Sequence, residues 1–224
     1  MTPRRQHLAA ALGAAFAVLT VAVWAKAPVV GVDEWVWRHT LRLRVDALVS
    51  AARLVTLVFS PPVTSAALAA VAVAVSRRRR STRALVAAVL TGLSMAVLTR
   101  GLKLLLARPG PGSDDVGQLN GAYPSGHTAS LIVCGGAIVL LLGWARRRVA
   151  WTVLGSVSLL VMTCLIYAHQ HWLSDVVGSL LLASALLLCF SRRLTQAGQV
   201  DQATAPDVAR PGDLGRQGAS WGHG

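Results

Sequence analysis

Two residues four apart, His171 and Asp175, have the types and spacing to do chemistry. On a helix they share a face. A carboxylate beside an imidazole fixes its tautomer and raises its basicity. The opposite ring nitrogen is then free to attack, as in an oriented histidine nucleophile. The same pair would also serve as a boundary histidine beside an N-terminal capping aspartate. A second group, Ser125-Gly126-His127, follows Pro124. If it opens a helix, the free N–H groups there form an anion site. The Ser125 hydroxyl can add a donor, and Gly126 lets backbone approach a ligand closely. His127 can protonate a leaving oxygen. Lys103 and Arg108 would bring positive charge, and His169 stands two residues before His171. Together these residues suggest chemistry on a phosphate.

The elements that must position them are membrane helices. The chain of 224 residues is 54% hydrophobic and 14% charged. Uncharged apolar runs cover residues 8–25, 54–76, 84–99, 128–145, 149–168 and 176–191. A spanning helix needs about 20 mostly apolar residues, which each run reaches with its flanks. The formal net charge of +13 does not point to nucleic acid. The arginines stand in short blocks between the runs: Arg4-Arg5, Arg77 to Arg80 with Arg83, Arg146 to Arg148, and Arg192-Arg193. Basic blocks at both termini and at every second loop are what the positive-inside rule gives for six spans with cytoplasmic ends.

By parity, the loop 108–124 and the turn near 169–172 then share the outer surface, so the ionisable groups converge there. Such groups at membrane depth are costly and usually functional. The first run, ending in Ala25-Lys26-Ala27, resembles a signal peptide, but it is long for one and its removal would leave five spans.

Residues 33–53 read as one interfacial amphipathic helix, with Trp37, Leu41, Leu48, Ala52 and Val55 on one stripe. Pro61-Pro62 breaks or kinks the start of the second span. Trp144 and Trp151 flank a basic block as belt residues do. Cys134, Cys164 and Cys189 lack metal or disulfide spacing and read as small core residues. The domain organisation expected is a cytoplasmic N-terminus (1–7), a six-span membrane domain (8–193) and a disordered cytoplasmic tail (194–224).

The combination resembles the PAP2 (type 2 phosphatidic acid phosphatase) superfamily, whose motifs are K-x6-R-P, P-S-G-H and S-R-x5-H-x3-D. Pro124-Ser125-Gly126-His127 matches the second motif throughout. His171 and Asp175 match the reactive end of the third, and Lys103 and Pro111 match the first. The resemblance covers roughly residues 8–190. It implies an all-α fold, a six-transmembrane-helix bundle with a PAP2/chloroperoxidase-like core. It also implies metal-independent hydrolysis of a lipid phosphate or diphosphate, without a cofactor. His171 would attack phosphorus, Asp175 orient it and His127 protonate the leaving oxygen. Lys103, Ser125 and Gly126 would bind the phosphate oxygens. The family's substrates include polyprenyl diphosphates such as undecaprenyl diphosphate, phosphatidic acid and phosphatidylglycerol phosphate, and the outward site leans toward a cell-envelope lipid.

The chain departs from the motifs at both arginines. Their positions fall on Gly110 and on Leu165, which follows Cys164. Phosphate clamps rely on bidentate arginine geometry. Arg108 is the expected substitute, with Arg100 and His169 as further candidates. A metal set of His127, His169, His171 and Asp175 is set aside, because His-x-His on a helix splays its rings. A catalytically impaired protein that binds lipid headgroups is the alternative to an enzyme.

Overall fold

A computed structural model describes residues 3–112 and 121–199. Eight α-helices follow one another among these residues: α1 (Pro3–Trp24), α2 (Val29–Arg42), α3 (Asp46–Val58), α4 (Pro61–Arg79), α5 (Arg83–Leu106), α6 (Gly126–Leu141), α7 (Arg148–Tyr167) and α8 (Leu173–Gly198). Four of them, α1, α5, α7 and α8, are each long and apolar enough to cross a membrane, as is the joint stretch Asp46–Arg79; α6 is a shorter apolar helix. The fold is all-α, a multi-pass membrane bundle.

The bundle is built around α6. Twelve of its 16 residues are buried, and α4, α5, α7 and α8 pack against it. Helix α1 packs along α8. Small residues permit this closeness: Ala72, Ala84, Ala87, Ala88 and Ala137 are all buried. Lipid tails are as apolar as leucine, so close packing rather than hydrophobic expulsion must hold such helices. Large apolar side chains accordingly face outward, among them Val18, Val21, Leu105 and Val149.

Three sequence expectations need correction. Residues 33–53 form two helices, not one. The break at Leu43–Val45 is fixed by Tyr167, whose hydroxyl donates to the Leu43 carbonyl and accepts from the Val45 N–H, each at 3.0 Å. Asp46 then opens α3 with its carboxylate at the favourable helix end. A stripe drawn through the break loses its phase. Leu41 and Leu48 are exposed, while Asp33 on α2 and Val49, Ala52 and Thr56 on α3 turn inward. Second, Cys189 is exposed on the outside of the bundle, unlike Cys134. Third, α8 continues to Gly198, past the expected end of the membrane domain at 193. The rest of the expected tail lies outside the described residues.

Candidate active site

A cavity of about 880 Å³ lies where α5 ends, α6 begins and α7 gives way to α8. Lys103, Arg108, Gly126, His127, His169 and His171 all line it. The loop after α5 is drawn onto this spot by backbone. Gly121 sits so close to the end of α5 that a Cβ there would stand 2.8 Å from the Lys103 carbonyl oxygen. Lys103 in turn donates its ammonium to the Gly121 carbonyl. The middle of the loop, residues 113–120, lies outside the described residues.

Asp175 is fully buried in the first turn of α8. Its Oδ2 accepts the Trp172 N–H at 2.9 Å, which caps the helix, and lies 3.4 Å from Nδ1 of His171. The capping role and the histidine-orienting role are therefore one arrangement. With Nδ1 turned to the carboxylate, Nε2 is the ring nitrogen left for the cavity. His127 stands on the far side, its ring centroid 6.3 Å from that of His171. The start of α6 is tied to the start of α8 by the Ser125 N–H, which donates to the Asp175 carbonyl. That bond sets the two helix N-termini side by side.

Ser125 is placed differently from the phosphate-binding expectation. It is fully buried and does not line the cavity. Its hydroxyl oxygen accepts from the Thr128 N–H at the start of α6, so it caps the helix whose first N–H groups face the cavity. Gly126 and His127, one and two residues later, are the ones that reach it.

Arg108 does come to the site, but as the partner of two carboxylates. Its Nη1 donates to Asp175 Oδ1 at 2.6 Å and to Ser174 Oγ at 2.7 Å, and its Nη2 donates to Asp33 Oδ2 at 2.7 Å. The guanidinium also lies 5.5 Å from the centroid of the Trp172 ring. Pro109 follows directly. Among the third-motif positions, Leu165 is fully buried in an apolar cluster with Leu131, Val161 and Val176. The position is packed as core.

Sequence reasoning missed Asp33. It read as the first residue of a surface helix, yet it is 1% exposed and holds both Arg108 and Ser174. The available signal was its spacing to Trp37 and Thr40, which places all three on one helical stripe. Trp37 meets the rings of His169 and Trp172, and Thr40 Oγ1 shares a hydrogen bond of 3.1 Å with Nε2 of His169. Burial, and secondarily the charge of Arg44, push the His169 imidazole below its ordinary range. It serves as a neutral tie to α2. Behind the site, the Tyr123 phenol pairs with Thr20 of α1 at 2.8 Å.

The fold and site thus define a multi-pass membrane protein with an oriented histidine, a facing histidine and cations around one cavity. The sequence pattern of the PAP2 superfamily matches residues 84–198, half of the chain, and the protein belongs to that superfamily. Among solved structures, its fold is similar to that in "Crystal structure of the first transmembrane PAP2 type phosphatidylglycerolphosphate phosphatase from Bacillus subtilis". The TM-score is 0.72 at 18% identity, over 81% of this chain and 93% of that one. No curated protein matches the chain.

Proposed function

We propose that the protein hydrolyses a phosphate monoester or diphosphate on a membrane lipid, at the extracytoplasmic face. One observation carries the reading: His171, backed by Asp175, faces His127 across a cavity that Lys103 also lines. Nε2 of His171 attacks phosphorus while Nδ1 keeps its proton toward Asp175. The bond from phosphorus to the lipid oxygen breaks, and His127 gives that oxygen a proton. Water then cleaves the phosphorus–nitrogen bond, with His127 taking its proton, and phosphate leaves. Lys103 and the first N–H groups of α6 at Gly126 hold the phosphate oxygens, since helix N-termini leave these donors unpaired. Arg108 lends charge from the cavity wall while its arms stay on the carboxylates.

The outward orientation rests on the basic blocks, with Arg77 to Arg80 and Arg146 to Arg148 at the opposite ends of their helices from His127 and His171. Candidate substrates are a polyprenyl diphosphate such as undecaprenyl diphosphate, phosphatidic acid, and phosphatidylglycerol phosphate. The test is phosphate release by purified protein in detergent with EDTA, offering each lipid beside a His171→Ala control. We expect release on at least one lipid that the control abolishes. No release on any lipid from folded protein would leave a headgroup-binding protein in its place.

A further inference from the structure

Asp33 lies outside the stretch that matches the superfamily, yet it reaches the centre of the site. It is 1% exposed, and Asp175 is fully buried. Between them stands one guanidinium. Two carboxylates and one arginine carry a net charge of −1, with Lys103 the next cation that acts on Asp175, and burying charge is costly unless it is paired and hydrogen-bonded. The structure supports it with donors: the Ser174 N–H and hydroxyl both go to Asp33, at 2.8 and 2.5 Å, and the Trp172 N–H goes to Asp175. A structural tie alone needs no second anion, since Arg108 and Asp175 would make a neutral pair. An imidazole that must become cationic does need one. Attack by Nε2 while Nδ1 keeps its proton places positive charge on the His171 ring.

We propose that Asp33 is a positioning residue for the phosphatase reaction: by holding one arm of Arg108, it leaves Asp175 enough negative charge to stabilise His171 as it attacks. The inference rests on the His171 reading given above. Its inner neighbours on α2, Trp37 and Thr40, press the same turn from outside, so α2 straps the site. The other charged or titratable groups around His171 are Lys103 from α5, His127 from α6 and His169 from its own turn, which Arg44 faces; Arg100 lines the same cavity.

The experiment compares wild-type protein with Asp33→Asn and Asp33→Glu in detergent. Two quantities are read: the pH at which half of His171 reacts with diethyl pyrocarbonate, located by mass spectrometry, and the pH profile of phosphate release. Asp33→Asn removes the charge and keeps the shape. We expect the His171 midpoint and the acid limb of the profile to move down by about one pH unit, since the ring loses a stabilising anion. We expect kcat to fall about ten- to hundredfold, as when an outer partner of an oriented histidine is lost, with KM little changed. Asp33→Glu keeps the charge and displaces Arg108, so it should restore the limb but not the rate.

An unmoved midpoint in folded Asp33→Asn would overturn the proposal. Should that variant not fold, a His171 midpoint in Asp33→Glu that falls as far as the drop expected for Asp33→Asn, although the charge is kept, would overturn it. The modification profile needs no turnover. A wild-type protein that hydrolyses nothing would defeat the phosphatase reading, while Asp33 would still be judged on the midpoint.

Discussion

The two ends of the bundle are held together by different forces. At the end away from the cavity, Leu68, Ala72, Ala84, Leu141, Leu187 and Leu194 form a continuous apolar cluster. Packing within that cluster is not directional, and small residues let the helices approach. At the cavity end, the buried residues include Asp33, Tyr123, Ser125, Thr128, Ser174 and Asp175. These are joined by hydrogen bonds and ion pairs that fix angles as well as distances. Packing tolerates adjustment, whereas a buried polar network with one partner removed leaves the others unsatisfied. The candidate site sits where the structure has least freedom to relax.

That contrast orders the expected effects of substitution. Asp175→Asn should have the largest effect on rate. It keeps the shape but removes the charge behind His171 and disturbs its tautomer; about a 10⁴-fold loss accompanies the same change in a serine-protease triad. Steady-state kinetics on purified protein checks this, and a loss under tenfold would break the contrast.

Arg108→Ala comes next and should strike stability as well as rate. It strands Asp33 and Asp175 as uncompensated buried charges, a change that costs about 3–5 kcal/mol in such sites. We expect a lowered midpoint of thermal unfolding in detergent, together with turnover reduced by about 10² or more. Unchanged turnover would remove Arg108 from the account.

The smallest effects come from adding one methyl group at either end. A Cβ at Gly178 would stand 2.6 Å from the Tyr123 hydroxyl and 2.8 Å from its ring. That ring is fully buried and tied to Thr20, so Gly178→Ala should cost about 1–3 kcal/mol. A Cβ at Gly135 would meet only the mobile end of Leu154, at 2.6 Å. Leu154 borders a groove of about 650 Å³ into which it can turn. Gly135→Ala should stay within about 1 kcal/mol. Equal losses in the two variants, measured by thermal unfolding, would show that both ends are equally stiff.

The sequence carried the fold through its apolar runs and arginine blocks, and it pointed to the pairing of His171 with Asp175, although His171 stands in the turn before α8 and meets Asp175 through the cap rather than along a helix face. Span three, expected from about 84 to 106, is α5 at Arg83–Leu106. What it hid was everything set by contact between distant segments. Asp33 looked like a surface charge because its partner lies 75 residues away. Ser125 has the chemistry of a phosphate donor, and only burial reveals it as a helix cap. Arg108 was legible as a cation near the site, but two carboxylates already hold its arms. The break after α2 depends on a tyrosine hydroxyl from α7, which no local pattern announces.

The most direct test of the central claim is to trap the intermediate on His171. Purified protein would be mixed briefly with a lipid carrying a ³²P-labelled terminal phosphate, quenched in base, digested and mapped. The account predicts an acid-labile, base-stable label on the peptide containing His171, absent from His171→Ala. Phosphate release that persists in His171→Ala, with no label on that peptide, would contradict it.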